Sequence, residues 1–192
     1  MRTERAGRQV RSSSGEPAVV GDTIVPGVAS WQATADSGAA GSAAAAAGHH
    51  GATPRVATAT LPDAIQGEIV DWMRGALPNE GCGLLVADRT AEQGGIPARF
   101  VGMRNAAASP YRYLMDPIEQ LRVMLEIDDA DEVVWAIVHS HVASAARPSA
   151  TDVGLAAYPE ALYLLCSFAT DPPELRAWTI VDGAVDEVPL AP

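Results

Sequence analysis

Val133-Val134-Trp135-Ala136-Ile137-Val138-His139-Ser140-His141, followed seven residues later by Ser149-Ala150-Thr151-Asp152, is the stretch on which the reading of this chain turns. The run of β-formers predicts a buried strand that ends in two histidines. Side chains two apart on a strand share a face, so both imidazoles can converge on one ion. Asp152, at the start of what reads as a helix through Gly154, Leu155 and Ala157, is the third candidate ligand. Two His and one Asp hold Zn2+ and leave a fourth position for water, the open geometry of a catalytic site. The same Ser149-to-Asp152 spacing is also a capping box, which by itself accounts for both residues. Strand-end histidines, too, are often plain polar surface groups. The joint spacing is what favours a metal site.

Upstream, Asn79-Glu80-Gly81-Cys82-Gly83-Leu84-Leu85-Val86-Ala87 reads as a buried strand headed by an acid. A carboxylate at such a position is costly unless it is used, although an exposed strand-edge acid is the simpler alternative. Gly81 and Gly83 permit close approach of a neighbour or a ligand. With the ion expected two strands away, Glu80 is the candidate base, deprotonating a water and carrying the proton to a leaving amine. The Ser149 hydroxyl is the candidate donor to a developing oxyanion.

The other elements follow from periodicity. Leu61-Pro62-Asp63 opens a helix carrying Ile65, Ile69, Trp72, Met73, Ala76 and Leu77 and ended by Pro78. A second strand is predicted over Pro97 to Arg104 and a short third over Tyr111 to Met115. Asp116 is expected as N-cap and Pro117 as first residue of a helix whose apolar face is Ile118, Leu121, Met124 and Leu125. Ala161 to Phe168 reads as a buried strand, and Glu174 to Val181 as a strand joined through Asp182-Gly183 to a last one. The expected fold is one α/β domain over residues 59–192, a mixed β-sheet of six or seven strands flanked by helices. Residues 1–58, rich in Ala, Gly and Ser, are expected to be a disordered low-complexity extension; within it, His49-His50 is read as an accident of composition.

Composition narrows the function classes. The formal net charge of −11 argues against nucleic acid as the main partner. All 13 basic residues are arginine, so no lysine is available for modification. Cys82 and Cys166 sit in apolar runs and are expected to be reduced core residues rather than a disulfide framework. No apolar run approaches membrane-span length and no secretory signal is visible, so no membrane partner is expected and the cytoplasm is the default location. The oligomeric state stays open, a homodimer included.

Glu80, followed by His139-Ser140-His141, seven residues, then Ser149-Ala150-Thr151-Asp152, resembles the JAMM motif of the MPN-domain metalloproteases, a distant Glu ahead of His-x-His-x7-Ser-x2-Asp. Pro78-Asn79-Glu80-Gly81-Cys82-Gly83-Leu84-Leu85 is similar to that family's Glu-bearing segment. The resemblance covers residues 60 to 190. It implies a cytidine-deaminase-like fold, Zn2+ on His139, His141 and Asp152, Glu80 as acid/base and Ser149 as oxyanion support. It further implies cleavage after the C-terminal glycine of a ubiquitin-like protein. Many members carry Pro after the second His, where this chain has Val142. The loop Val142 to Ser149 is similar instead to the bacterial CysO-cysteine peptidase (Mec-type) branch, which releases cysteine from a β-grasp sulfur carrier. A general isopeptidase for ubiquitin-like conjugates and a non-catalytic MPN binding module are the alternatives.

Overall fold

The structure, a computed structural model, describes residues 56–192. The extension expected to be disordered, with His49 and His50, lies outside the described residues as far as position 55. In chain order the elements are β1 (Ala59–Thr60), α1 (Asp63–Ala76), β2 (Cys82–Ala87), β3 (Arg99–Met103), α2 (Pro117–Asp129), β4 (Val133–His141), α3 (Ala150–Leu155), β5 (Leu162–Ser167), β6 (Glu174–Val181), β7 (Ala184–Val188) and β8 (Leu190–Ala191). Six strands form one mixed sheet in the order β3-β2-β4-β5-β6-β7. Only the β4–β5 pair is parallel, and α3 lies in its connection. β1 and β8 form a separate parallel pair.

Alternation along the central strands divides the core in two. Leu85 and Ala87 of β2 join Ile65, Ile69 and Met73 of α1 on one face. Cys82, Leu84 and Val86 join Val123 and Ile127 of α2 on the other. A bulge opposite Leu85 and Val86 shifts the β2–β4 register, after which Ile137, His139 and His141 fall on the α2 face. α1 has no side-chain cap, because its N-cap is Pro62. A good cap is worth about 1 kcal/mol, whereas burying each of three large apolar side chains contributes roughly 1.5–3 kcal/mol. Packing therefore decides this helix. α2 is capped as expected, with the Asp116 carboxylate accepting from Ile118 N and Glu119 N and Pro117 in the first turn. Asp182 (φ 51°) and Gly183 (φ 80°) form the two-residue turn between β6 and β7. Both positions are left-handed, as the hairpin turn that matches strand twist requires.

Three expectations are corrected. Tyr111 to Met115 is no strand: it contributes one isolated bridge, Asn105 to Met115, and otherwise forms a loop. The apolar face chosen for α2 is mostly the outward one: Ile118, Leu121 and Leu125 are exposed, only Met124 of the four packs on the core, and the buried residues are Val123 and Ile127. Both stripes have helical spacing, and only the sheet's position selects between them. Finally, β2 and β4 are direct neighbours with Cys82 opposite His139, so Glu80 stands one strand from the histidines rather than two. Cys82 and Cys166 are buried and free. No helix among the described residues is long and apolar enough to cross a membrane.

Candidate active site

β4 delivers both histidines into the interior, His139 at 1% and His141 at 5% exposure. The following loop folds back and is held at successive carbonyls. Ser144 O accepts from Ser167 Oγ at 2.6 Å, Ala145 O meets His141 Nδ1 at 2.7 Å, and Ala146 O accepts from Trp178 Nε1 at 3.0 Å. Arg147 then lies over the Trp178 ring, 5.6 Å from its centroid. This anchoring returns the chain to the histidines at Ser149, the N-cap of α3. There Ser149 N donates to Asp152 Oδ2 at 2.7 Å and Asp152 N donates to Ser149 Oγ at 3.2 Å. The capping box and the ligand reading thus hold together, because the cap is what orients the Asp152 carboxylate. Its Oδ1 lies 3.3 Å from His139 Nε2 and its Oδ2 lies 3.6 Å from His141 Nε2.

These spacings fit zinc. The donor atoms of His139, His141 and Asp152 all lie within 4.8 Å of one another. Tetrahedral zinc with bonds of about 2.0–2.2 Å sets neighbouring donors roughly 3.4 Å apart, close to the two separations seen here. The Ala145 carbonyl on His141 Nδ1 reserves Nε2 for the ion. Neither ring nitrogen of buried His139 has a hydrogen-bond partner of ordinary geometry among the described residues, an expensive condition unless a ligand completes it. The ionisation states of His139 and Asp152 agree with this. Burial lowers the pKa of His139 more than Asp152 raises it. For His141 burial pulls down, but Asp152 and the Ala145 carbonyl outweigh it and the net shift is upward. For Asp152 burial pushes up, but hydrogen bonding with His139, His141 and Ser149 holds the carboxyl well below the usual carboxylate range. An anionic Asp152 beside a neutral His139 is the state a metal needs. His141, drawn towards its protonated form in the metal-free chain, must release its proton when an ion binds.

Glu80 lies just before β2 and is only 5% exposed. Burial is the main cause that pushes its pKa up to about 7, with His141 opposing and Asp152 adding. A carboxyl poised there can both take and return a proton near neutral pH. Ser149, by contrast, is exposed, and its Oγ accepts from Asp152 N, which leaves the hydroxyl hydrogen available to another acceptor. Gly81 and Gly83 serve packing. A Cβ at Gly81 would stand 2.6 Å from Met73 Sδ, and one at Gly83 would stand 2.6 Å from Val101 O.

Three further residues shape the site and escaped the sequence reading. Ser140, between the two histidines, points to the opposite face and accepts from Gly81 N at 2.8 Å, while its own N donates to Gly81 O at 3.0 Å. It ties the strand of the histidines to the residue next to Glu80. Asn105 makes four hydrogen bonds: Nδ2 donates to Glu80 O and Arg112 O, and Oδ1 accepts from Ala107 N and Leu114 N. Tyr113, on the loop that Asn105 organises, stacks on His139. A polar residue inside a buried strand was a signal for Ser140. For Asn105 and Tyr113 there was none, since their partners are distant in sequence.

The family of prokaryotic homologs of the JAB domain matches residues 62–181. The chain is 47% identical over 115 residues to the CysO-cysteine peptidase of Mycobacterium tuberculosis, an alignment spanning 59% of this chain and 76% of that protein. It is 34% identical over 106 residues to the desampylase of Haloferax volcanii, spanning 55% of this chain and 74% of that one. Among solved structures it is similar to a Desulfitobacterium hafniense protein studied in solution, with a TM-score of 0.62 and 34% identity, over 70% of this chain and 92% of that one. With the family match spanning most of the described residues and His139, His141 and Asp152 gathered in the geometry of a catalytic zinc site, the chain belongs to the JAB/MPN-domain (JAMM) family.

Proposed function

We propose that this protein is a zinc-dependent peptidase that hydrolyses the bond after the C-terminal glycine of a small ubiquitin-like, β-grasp sulfur carrier, releasing cysteine or a similar amino acid. The observation that carries the metallopeptidase class is the convergence of His139, His141 and Asp152 beside buried Glu80. The substrate class rests on the 47% identity to the CysO-cysteine peptidase.

Zinc, when bound, supplies Lewis-acid polarisation at the position that the three ligands leave open. The chain's own residues then handle protons and charge. Glu80, buried and with its pKa near neutrality, takes a proton from the attacking water and returns it to the departing amine. The Ser149 hydroxyl donates to the oxyanion that develops on the scissile carbonyl. The capping box helps keep Asp152 anionic and aimed, Ser140 and Asn105 hold the peptide unit that follows Glu80, and Ser109 O holds its N–H. A reaction of this kind suits a cytoplasmic location, where such carriers and free thiols occur.

A second reading, a general isopeptidase for ubiquitin-like conjugates, rests on the 34% identity to the desampylase. A non-catalytic binding module is disfavoured by the complete set of donors. The test is to incubate the full chain with a carrier–cysteine adduct and, separately, with a lysine-linked conjugate of the same carrier, with zinc or with chelator. The expected result is loss of one cysteine residue from the intact mass of the adduct, in zinc only, with the conjugate cut more slowly. Equal cleavage of both would favour the isopeptidase, and an unchanged adduct with zinc bound would refute the proposal.

A further inference from the structure

Metal-binding histidines are normally oriented by a hydrogen bond from the second ring nitrogen. His141 follows this pattern through the Ala145 carbonyl at 2.7 Å. His139 does not, because its Nδ1 is buried and has no partner among the described residues. What does touch the ring is Tyr113, stacked on it with centroids 4.5 Å apart and planes 23° from parallel. His141 meets the same ring edge-on at 5.1 Å and 61°. From this contrast we infer that Tyr113 is the positioning residue for His139, replacing by stacking the hydrogen bond that orients His141.

The mount of Tyr113 supports the assignment. The loop from Asn105 to Met115 is not a strand, so its shape rests on the four hydrogen bonds of the Asn105 side chain. Two of them bracket Tyr113 directly, one to Arg112 O and one from Leu114 N. The same loop grips the backbone of Glu80 from both sides: Glu80 N donates to Ser109 O at 2.9 Å, and Glu80 O accepts from Asn105 Nδ2 at 2.9 Å. One loop therefore sets both the ring plane of a ligand and the backbone of the neighbouring acid. An aromatic face restrains rotation of an imidazole without claiming either nitrogen, which leaves Nε2 directed at Asp152 and the ion.

This inference rests on His139 being a zinc ligand, and the experiment separates the two. Zinc affinity is measured by chelator competition on the full chain for the wild type, Tyr113→Phe and Tyr113→Leu. Phe keeps the stacking face and is expected to match the wild type. Leu removes it and is expected to weaken zinc roughly 10- to 100-fold, the usual effect of losing an orienting partner. Unchanged affinity in Tyr113→Leu overturns the inference, as does an equal loss in Tyr113→Phe, which would implicate the hydroxyl instead. A wild-type chain that takes up no zinc removes the ligand reading and the inference with it. Should the Leu variant fail to fold, the metal-free wild type decides by NMR. Stacking on Tyr113 moves the His139 ring protons upfield of those of a free imidazole in the same protonation state, and unshifted His139 protons overturn the inference.

Discussion

At the scale of the residue, Glu80 carries the sharpest consequences. In the proposed mechanism its carboxyl transfers the proton, and it is not one of the three converging donors. Glu80→Gln is therefore expected to retain about one zinc per chain while turnover falls roughly 10²- to 10⁴-fold, the range for loss of a general acid–base; metal analysis beside a turnover assay checks both halves. Burial also links this residue to stability. Raising its pKa from 4.5 to about 7 means that the folded, metal-free chain binds more protons than the unfolded chain between those values. Stability from this group is thus present below about pH 4.5 and is lost as pH rises towards 7. Urea unfolding in chelator at pH 5 and pH 8 should show the wild type losing stability relative to Glu80→Gln as pH rises. A constant difference between the two proteins would contradict the buried placement of Glu80.

At the scale of the element, pairing of β2 with β4 is what brings acid and ligands together. The clamp is Ser140, whose hydroxyl satisfies the buried Gly81 N. Ser140→Ala leaves that donor unpaired, and a buried unsatisfied group costs about 1–3 kcal/mol. Denaturant unfolding is expected to show that loss, and kinetics to show a lower kcat with zinc content unchanged, since the two histidines stay on the other face of β4. Loss of zinc in this variant would mean that the clamp shapes the ligands rather than Glu80. The same scale explains which readings of the chain failed. The strand of the histidines, the Asp116 cap and the Asp182-Gly183 hairpin are local patterns, and each appears as expected. The outward face of α2 was chosen wrongly because Ile118, Leu121 and Leu125 repeat at helical spacing as regularly as Val123 and Ile127 do. Tyr111 to Met115 has strand-forming residues but finds no continuous partner, as its backbone groups are engaged by Asn105 instead.

At the scale of the whole molecule, zinc held by His139, His141 and Asp152 would tie together segments remote in sequence, β4 and the start of α3. A ligand that binds only the folded chain stabilises it by mass action, about 4.1 kcal/mol at a free concentration a thousand times Kd. Thermal unfolding should therefore occur at a higher temperature with zinc than with chelator, and Asp152→Asn should abolish most of that difference. A Tm indifferent to zinc in the wild type would count against the ligand set.

The division between sequence and tertiary structure follows from the range of the forces concerned. Strand periodicity, helix capping and the spacing of His139, His141, Ser149 and Asp152 are short-range properties written in neighbouring residues, and the sequence alone determined them; it also singled out Glu80 as the candidate acid, which the fold buries. Which strands are adjacent, which stripe of α2 is buried, and which groups Ser140, Asn105 and Tyr113 touch depend on contacts between residues far apart in the chain. Those contacts arise only when the sheet closes and buried polar groups must find partners, so only the folded molecule decided them.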